Sequence, residues 1–223
     1  MSIKKSIGWT DMTLNPIKGR CLGNCRLPDG TAYCYYSGER GIIKRFQQEE
    51  GIRITFSVFD RLPKTPKRIF LCSTHDLFGS WIPKRWRDEI FLNVEEYPQH
   101  TFQILTKFPQ NIDREMPNNV WLGVTVTNEG DLIKTWRLGR KNARLHFVSI
   151  EPMLEYINPR SLYYKHTNWI IIGQLTGFGK KYNPKREWID EWVRCAKWHN
   201  IPIFLKDNLK EIWGEKLIQE MPE

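Results

Sequence analysis

Three of the five cysteines lie close together, Cys21, Cys25 and Cys34, in the segment NPIKGRCLGNCRLPDGTAYCYYSGER with the spacing C-x3-C-x8-C. In the cytosolic chain expected here, such a cluster points to metal binding or redox chemistry rather than a disulfide framework. Thiolate ligands select zinc or iron–sulfur centres. A structural zinc site is closed by four protein ligands. No fourth cysteine or histidine is near in sequence, and His75 would have to reach across from another loop. Three ligands leave one position of a centre open, where a substrate or cofactor can bind the metal directly. An iron–sulfur centre is the first reading; a zinc site completed by His75, or three unligated thiols, are the others. Cys72 and Cys195 stand alone in apolar surroundings and read as core.

A second set of polar residues recurs at the ends of apolar runs. The runs are 68–74, 101–107, 120–128, 145–151, 169–174 and 201–206, with an opening segment around Ile7–Thr13. Their continuous hydrophobicity suits strands covered on both faces, and their helix-length spacing suits βαβ units with a parallel sheet. The runs finish in Ser73, His75 and Asp76, in Lys107, in Thr125, in Ser149 and Glu151, in Gln174, and in Lys206. Parallel β/α sheets and barrels bind ligands at the carboxyl ends of their strands. The pattern therefore describes a polar mouth above an apolar barrel. Asp76 and His75 suit a polar group of a ligand, although Asp76 also suits the N-cap of the next helix. Lys107 and Lys206 suit a carboxylate or phosphate, or snorkel from the rim. Glu151, inside an apolar run, needs a partner.

The elements that hold these residues follow from periodicity. Trp86, Ile90, Val94 and Tyr97 form one helical stripe ended by Pro98, and Leu132, Ile133 and Trp136 mark a shorter one. Asn183-Pro184 reads as an N-cap and N1 opening a helix with Trp188, Trp192, Ala196 and His199 on one stripe;. The stretch 39–48 is expected to be helical and 51–67 an irregular loop. About seven strands in one domain over residues 1–223 are expected, with a cysteine loop at 19–36.

Composition bounds the function. Lys and Arg number 34 against 25 Asp and Glu, a net charge of +9, which points to an anionic partner such as nucleic acid or a nucleotide;. No apolar stretch is long enough to cross a membrane, and MSIKKSIGWT carries no apolar leader, so a cytoplasmic protein is expected;.

Cys-x3-Cys followed by an aromatic directly before a third cysteine, here Tyr33 before Cys34, resembles the radical S-adenosylmethionine motif Cys-x3-Cys-x-aromatic-Cys. More closely, the chain resembles the phage-associated three-cysteine-motif radical-SAM-like proteins, a family of unknown function. The resemblance rests on IGWTDMTLNPIKGRC, YCYY, STHDLFGSWIP, FQILTKFPQNI, NVWLGVTVTN, FVSIEPML, NWIIIGQLTG and IPIFLKDN, and covers most of residues 6–208. It implies a partial TIM-like (β/α) barrel and a [4Fe–4S] cluster on Cys21, Cys25 and Cys34. It further implies S-adenosylmethionine in the mouth, among Tyr33, Tyr35, Ser73, Asp76, Lys107, Thr125, Glu151, Gln174 and Lys206, and a separate three-cysteine-motif partner protein. This sequence places eight residues between Cys25 and Cys34 where the motif has two. The excess, Arg26–Thr31, contains the turn sequence Pro28-Asp29-Gly30, which predicts a hairpin excursion returning Cys34 to the side of Cys25;. The expected function is reductive cleavage of S-adenosylmethionine to start radical chemistry; the alternative is a non-catalytic zinc- or cluster-stabilised barrel that binds nucleic acid or a partner protein.

Overall fold

The apolar runs become the strands of one parallel sheet. A computed structural model describes residues 7–34 and 51–223. Its strands are β1 (Met12–Leu14), β2 (Ile17–Gly19), β3 (Ile52–Ile54), β4 (Arg68–Leu71), β5 (Thr101–Thr106), β6 (Val120–Val126), β7 (Leu145–Ile150), β8 (Trp169–Ile172) and β9 (Ile203–Leu205). Seven of them pair in the order β1-β4-β5-β6-β7-β8-β9, every neighbour parallel. Strands β2 and β3 form a separate antiparallel ribbon. The helices are α1 (Lys84–Glu96), α2 (Ile133–Leu138), α3 (Arg186–Trp198) and α4 (Lys210–Trp213). The first three fill alternate crossovers, β4 to β5, β6 to β7 and β8 to β9, while β5 to β6 passes through one 3-10 turn and β7 to β8 through two. All three helices fall where the apolar stripes predict them. Among the described residues, no helix is long and apolar enough to cross a membrane.

The period of two along each strand sorts the side chains into two cores. Ile69, Leu71, Phe102, Ile104, Leu122, Val124, Val148, Ile150, Ile170 and Ile172 face the helices. Their alternates, Trp121, Leu145, Phe147, Trp169, Ile171 and Phe204, form a second cluster with Trp9, against which Phe70 and Leu105 pack. Trp9, just before β1, has its ring 6.1 Å from that of Trp169 on β8. Those strands lie five places apart in the sheet, about 24 Å in a flat one. The sheet is therefore curled into a half-barrel, and this aromatic cluster is its floor. Curvature leaves so little room that Phe147 lies on Gly123 of β6, where a Cβ would meet the ring at 2.4 Å. Residues 218–220 run antiparallel along the free edge of β9, with Leu205 N–H donating to the Ile218 carbonyl at 2.7 Å and Glu220 N–H to that of Ile203 at 3.0 Å.

Four expectations shift. The first strand is Met12–Leu14 rather than Ile7–Thr13, because Gly8 turns the chain at φ 70° and Trp9 folds inward onto the floor. The stretch 51–67 is not all irregular: it opens with β3, which pairs with β2. Asn183-Pro184 does not start α3, whose N-cap is Lys185. Asp76 caps no helix, since α1 starts at Lys84 after Pro83. The helix expected at 39–48 lies outside the described residues.

Candidate functional site

The cysteine loop leaves β2 and crosses the carboxyl end of the half-barrel. Cys21, Cys25 and Cys34 are half-buried cysteines outside any disulfide that line one cavity of about 240 Å³ together with Gly23, Asn24 and Ala32. The excursion is the expected hairpin: Arg26 bridges Ala32, Leu27 N–H donates to Thr31 at 2.8 Å, and Gly30 takes φ 85° in the turn. Tyr33 N–H then donates to the Cys25 carbonyl at 3.0 Å, which returns Cys34 to the side of Cys25. The Cys25 and Cys34 thiols share a hydrogen bond. Cys21 Sγ accepts from Gly23 N–H at 3.4 Å and from the backbone of Asp76, which pins the loop to the end of β4.

Below the thiols lies a buried charge network. Asp76 accepts from Thr106 Oγ1 at 2.6 Å, from Lys107 N–H at 2.7 Å and from Phe78 N–H at 3.1 Å. Burial pushes its carboxyl upward, against the pull of Lys107 and these donors. Burial also opposes the charge on Lys107, but Cys25, Asp76, Tyr33 and Cys34 overcome it and hold its ammonium above the usual range. The hydrogen bond that Cys25 donates to Cys34 and burial raise Cys25; burial raises Cys21. Tyr33 is pushed up to about 12 by burial, Cys25 and Asp131, with Lys107 opposing. Several groups that become anionic thus surround one cation. Three soft donors on one cavity, with more latent negative charge than Lys107 can balance, fit a bound metal centre. As the side chains stand, no group of three or more His, Cys, Asp or Glu among the described residues is arranged to hold a metal ion.

The opposite flank is closed on itself. Glu151 pairs with Lys206 over Gly173, where a Cβ would meet Glu151 Oε1 and Lys206 Cδ at 2.9 Å. Gln174 is one residue out of phase with this inward face. Its side chain donates to the Asn208 carbonyl, and Asn208 Nδ2 returns a bond to the Gln174 carbonyl at 2.8 Å. Thr125 and Ser149 are register partners on the concave face between the flanks. Among the described residues, buried Ser149 Oγ has no hydrogen-bond partner, so a polar ligand in the mouth would meet an unused hydroxyl;.

The expected residues divide accordingly. Cys21, Cys25, Cys34, Tyr33, Asp76 and Lys107 come together, and Thr125, Glu151 and Lys206 share the concave face beside them. Gln174 turns to Asn208, and Ser73 Oγ donates to Asn15 Oδ1 at 3.2 Å. Tyr35 lies outside the described residues. His75 bonds Thr74 Oγ1 and the Gly19 backbone, so in this arrangement it does not complete a zinc site. Asn15, which also accepts from Thr74 N–H at 3.1 Å, ties the turn after β1 to the one after β4 and was not foreseen; its position before Pro16 was the only local sign. Nor was Tyr182, whose hydroxyl donates to Asp29 at 2.6 Å and joins the hairpin to the loop after β8.

A curled sheet of seven parallel strands with its polar and thiol groups at the carboxyl ends defines an α/β half-barrel of partial TIM-like type;. The chain matches the family described as protein of unknown function, DUF5131, over residues 4–221, and belongs to it. No curated protein and no solved structure matches the chain.

Proposed function

We propose that this chain is an iron–sulfur protein of radical-SAM type, with Cys21, Cys25 and Cys34 holding a [4Fe–4S] cluster whose remaining iron is left for S-adenosylmethionine. The observation that carries the reading is the convergence of the three thiols on one cavity at the carboxyl ends of parallel strands. The bound cluster would supply the electron for reductive cleavage of S-adenosylmethionine, starting radical chemistry on a substrate. The chain's own part is positioning and charge balance. Lys107 sets a cation beside Cys25 and Cys34 and eases their deprotonation, and Asp76 holds both the Cys21 loop and the end of β5 in place. Thr125, Ser149, Glu151 and Lys206 offer polar groups to the cofactor from the concave face. The net charge of +9 favours a nucleic acid or nucleotide substrate, and the family resemblance favours a three-cysteine-motif partner protein;.

Anaerobic purification and cluster reconstitution test the proposal. The expected result is a brown protein that loses its iron in Cys21→Ala, Cys25→Ala and Cys34→Ala and releases deoxyadenosine from S-adenosylmethionine with a reductant. Full iron content in all three variants overturns the ligand assignment. A colourless protein carrying zinc supports the non-catalytic barrel instead.

A further inference from the structure

On the outer layer of the half-barrel, a groove of about 540 Å³ runs between α2 and the turn at 159–163. Its apolar lining is Leu132, Ile133, Trp136, Leu162 and Tyr163, with Glu129 at one end. Ile133 and Trp136 remain 51% and 42% exposed, so α2 turns apolar surface outward;. The charge around it is one-sided. From Leu132 to Ile150 the chain carries Lys134, Arg137, Arg140, Lys141 and Arg144 and no acid. Lys134 is engaged by Asp131 at 2.6 Å and Lys141 by the Ile112 carbonyl at 2.6 Å. Among the described residues, no carboxylate pairs with exposed Arg137, Arg140 or Arg144, nor with Arg160 and Lys165 in the segment of the other wall. The Arg140 guanidinium lies 4.9 Å over the Trp136 ring, leaving the indole's other face to a ligand, and Tyr163 stacks on His166 at 5.2 Å.

We propose that this groove binds single-stranded nucleic acid, with a base stacked on Trp136 and phosphates held by Arg137, Arg140 and Arg160. Flat apolar rings beside unpaired arginines match a ligand that alternates π-faces with anions. An apolar helix of a partner would fill the groove but leave the arginines without counter-charge. The acid at the groove's end, Glu129, is engaged by Asn158 N–H at 2.6 Å. The turn at 129–132 belongs to both places: it walls the groove, and its Asp131 acts on Tyr33 of the cysteine loop. The groove is separate from the thiol cavity, and the proposal does not rest on a cluster being bound.

Fluorescence anisotropy of a labelled DNA single strand of roughly 12 nucleotides, titrated with the full chain at two salt concentrations, tests this. Saturable binding is expected, and Trp136→Ala weakens it roughly tenfold, a typical loss for one stacked base. Trp136→Phe should restore most of the affinity, which separates stacking from a folding defect. Arg137→Ala with Arg140→Ala should reduce the slope of log affinity against log salt by about 1.4. Lys197→Ala, on α3, should change neither. Absence of saturable binding overturns the proposal, as does binding that all these proteins share equally. Equal binding of polyglutamate with the same dependence on Trp136 also overturns it, by assigning the groove to acidic peptides.

Discussion

On the far flank of the mouth Glu151 meets Lys206 and Gln174 meets Asn208; on the near flank two thiols, Cys25 and Cys34, a phenol and a buried carboxylate share the ammonium of Lys107. Both flanks put polar groups at the ends of buried strands, where unpaired charge is costly. The far flank balances its charge within the fold. The near flank balances only while its thiols stay protonated, and burial raises two of them to keep them so. In an element that is neutral only in its protonated form, a bound cation would displace protons. That difference, more than the cysteine spacing alone, separates a scaffold from a site.

The comparison can be broken most severely at Asp76. Asp76→Ala removes an acceptor from three donors and the buried counter-charge of Lys107, and should cost about 3–5 kcal/mol in chemical denaturation. A loss below 1 kcal/mol, on the scale of an ordinary hydrogen bond, would mean that the near flank is wetter and less coupled than described. Acid should act on the same flank through His75, whose pKa burial lowers to about 4. Between its usual value and that one, the unfolded chain takes up a proton that the folded chain refuses. Stability should therefore fall by about 3 kcal/mol as pH drops from about 6.5 to about 4. The drop should flatten in His75→Asn, measured by denaturation across that range.

On the far flank, Lys206→Met alone should cost about 2 kcal/mol by stranding Glu151, and adding Glu151→Gln should recover most of it. Failure of the double variant to recover would show that Glu151 has another partner in the mouth. The smallest effect sharpens rather than breaks the contrast. Tyr182→Phe removes the hydroxyl that ties the hairpin to the loop after β8 and should leave the denaturation midpoint unchanged. It should speed modification of Cys25 and Cys34 by a thiol reagent; an unchanged rate would show that the tie does not guard the cavity.

Much of this architecture is legible along the chain. The runs of β4 to β9 are continuous and apolar because the sheet is covered on both faces, and the helical stripes show the period of the faces they bury. The hairpin was legible because Pro28-Asp29-Gly30 encodes its own turn. What stayed hidden is what depends on distance. Strands β2 and β3 are three residues each, too short for a period to register, and they pair across 33 or more positions. Tyr182 meets Asp29 across 153 positions, with no local trace of the encounter. Gln174 ends an apolar run as Lys107 does, but one residue of phase turns it to the other side of the sheet, and only a fixed register decides that;. Asp76 resembled a cap because its short acceptor suits one; here it accepts from the end of a neighbouring strand instead.

The aromatic floor has an optical consequence. Trp9, Trp121 and Trp169 lie with ring centres 6.0–6.1 Å apart along a chain of edge-on contacts, and Phe147 and Phe204 close around Trp169. Indoles held this near in fixed, chiral orientation couple their electronic transitions, so the cluster contributes to the near-ultraviolet dichroism. Its members come from before β1, from β6 and from β8, so the signal reads the curl of the whole sheet. The molecule thus carries its own spectroscopic gauge of that curvature.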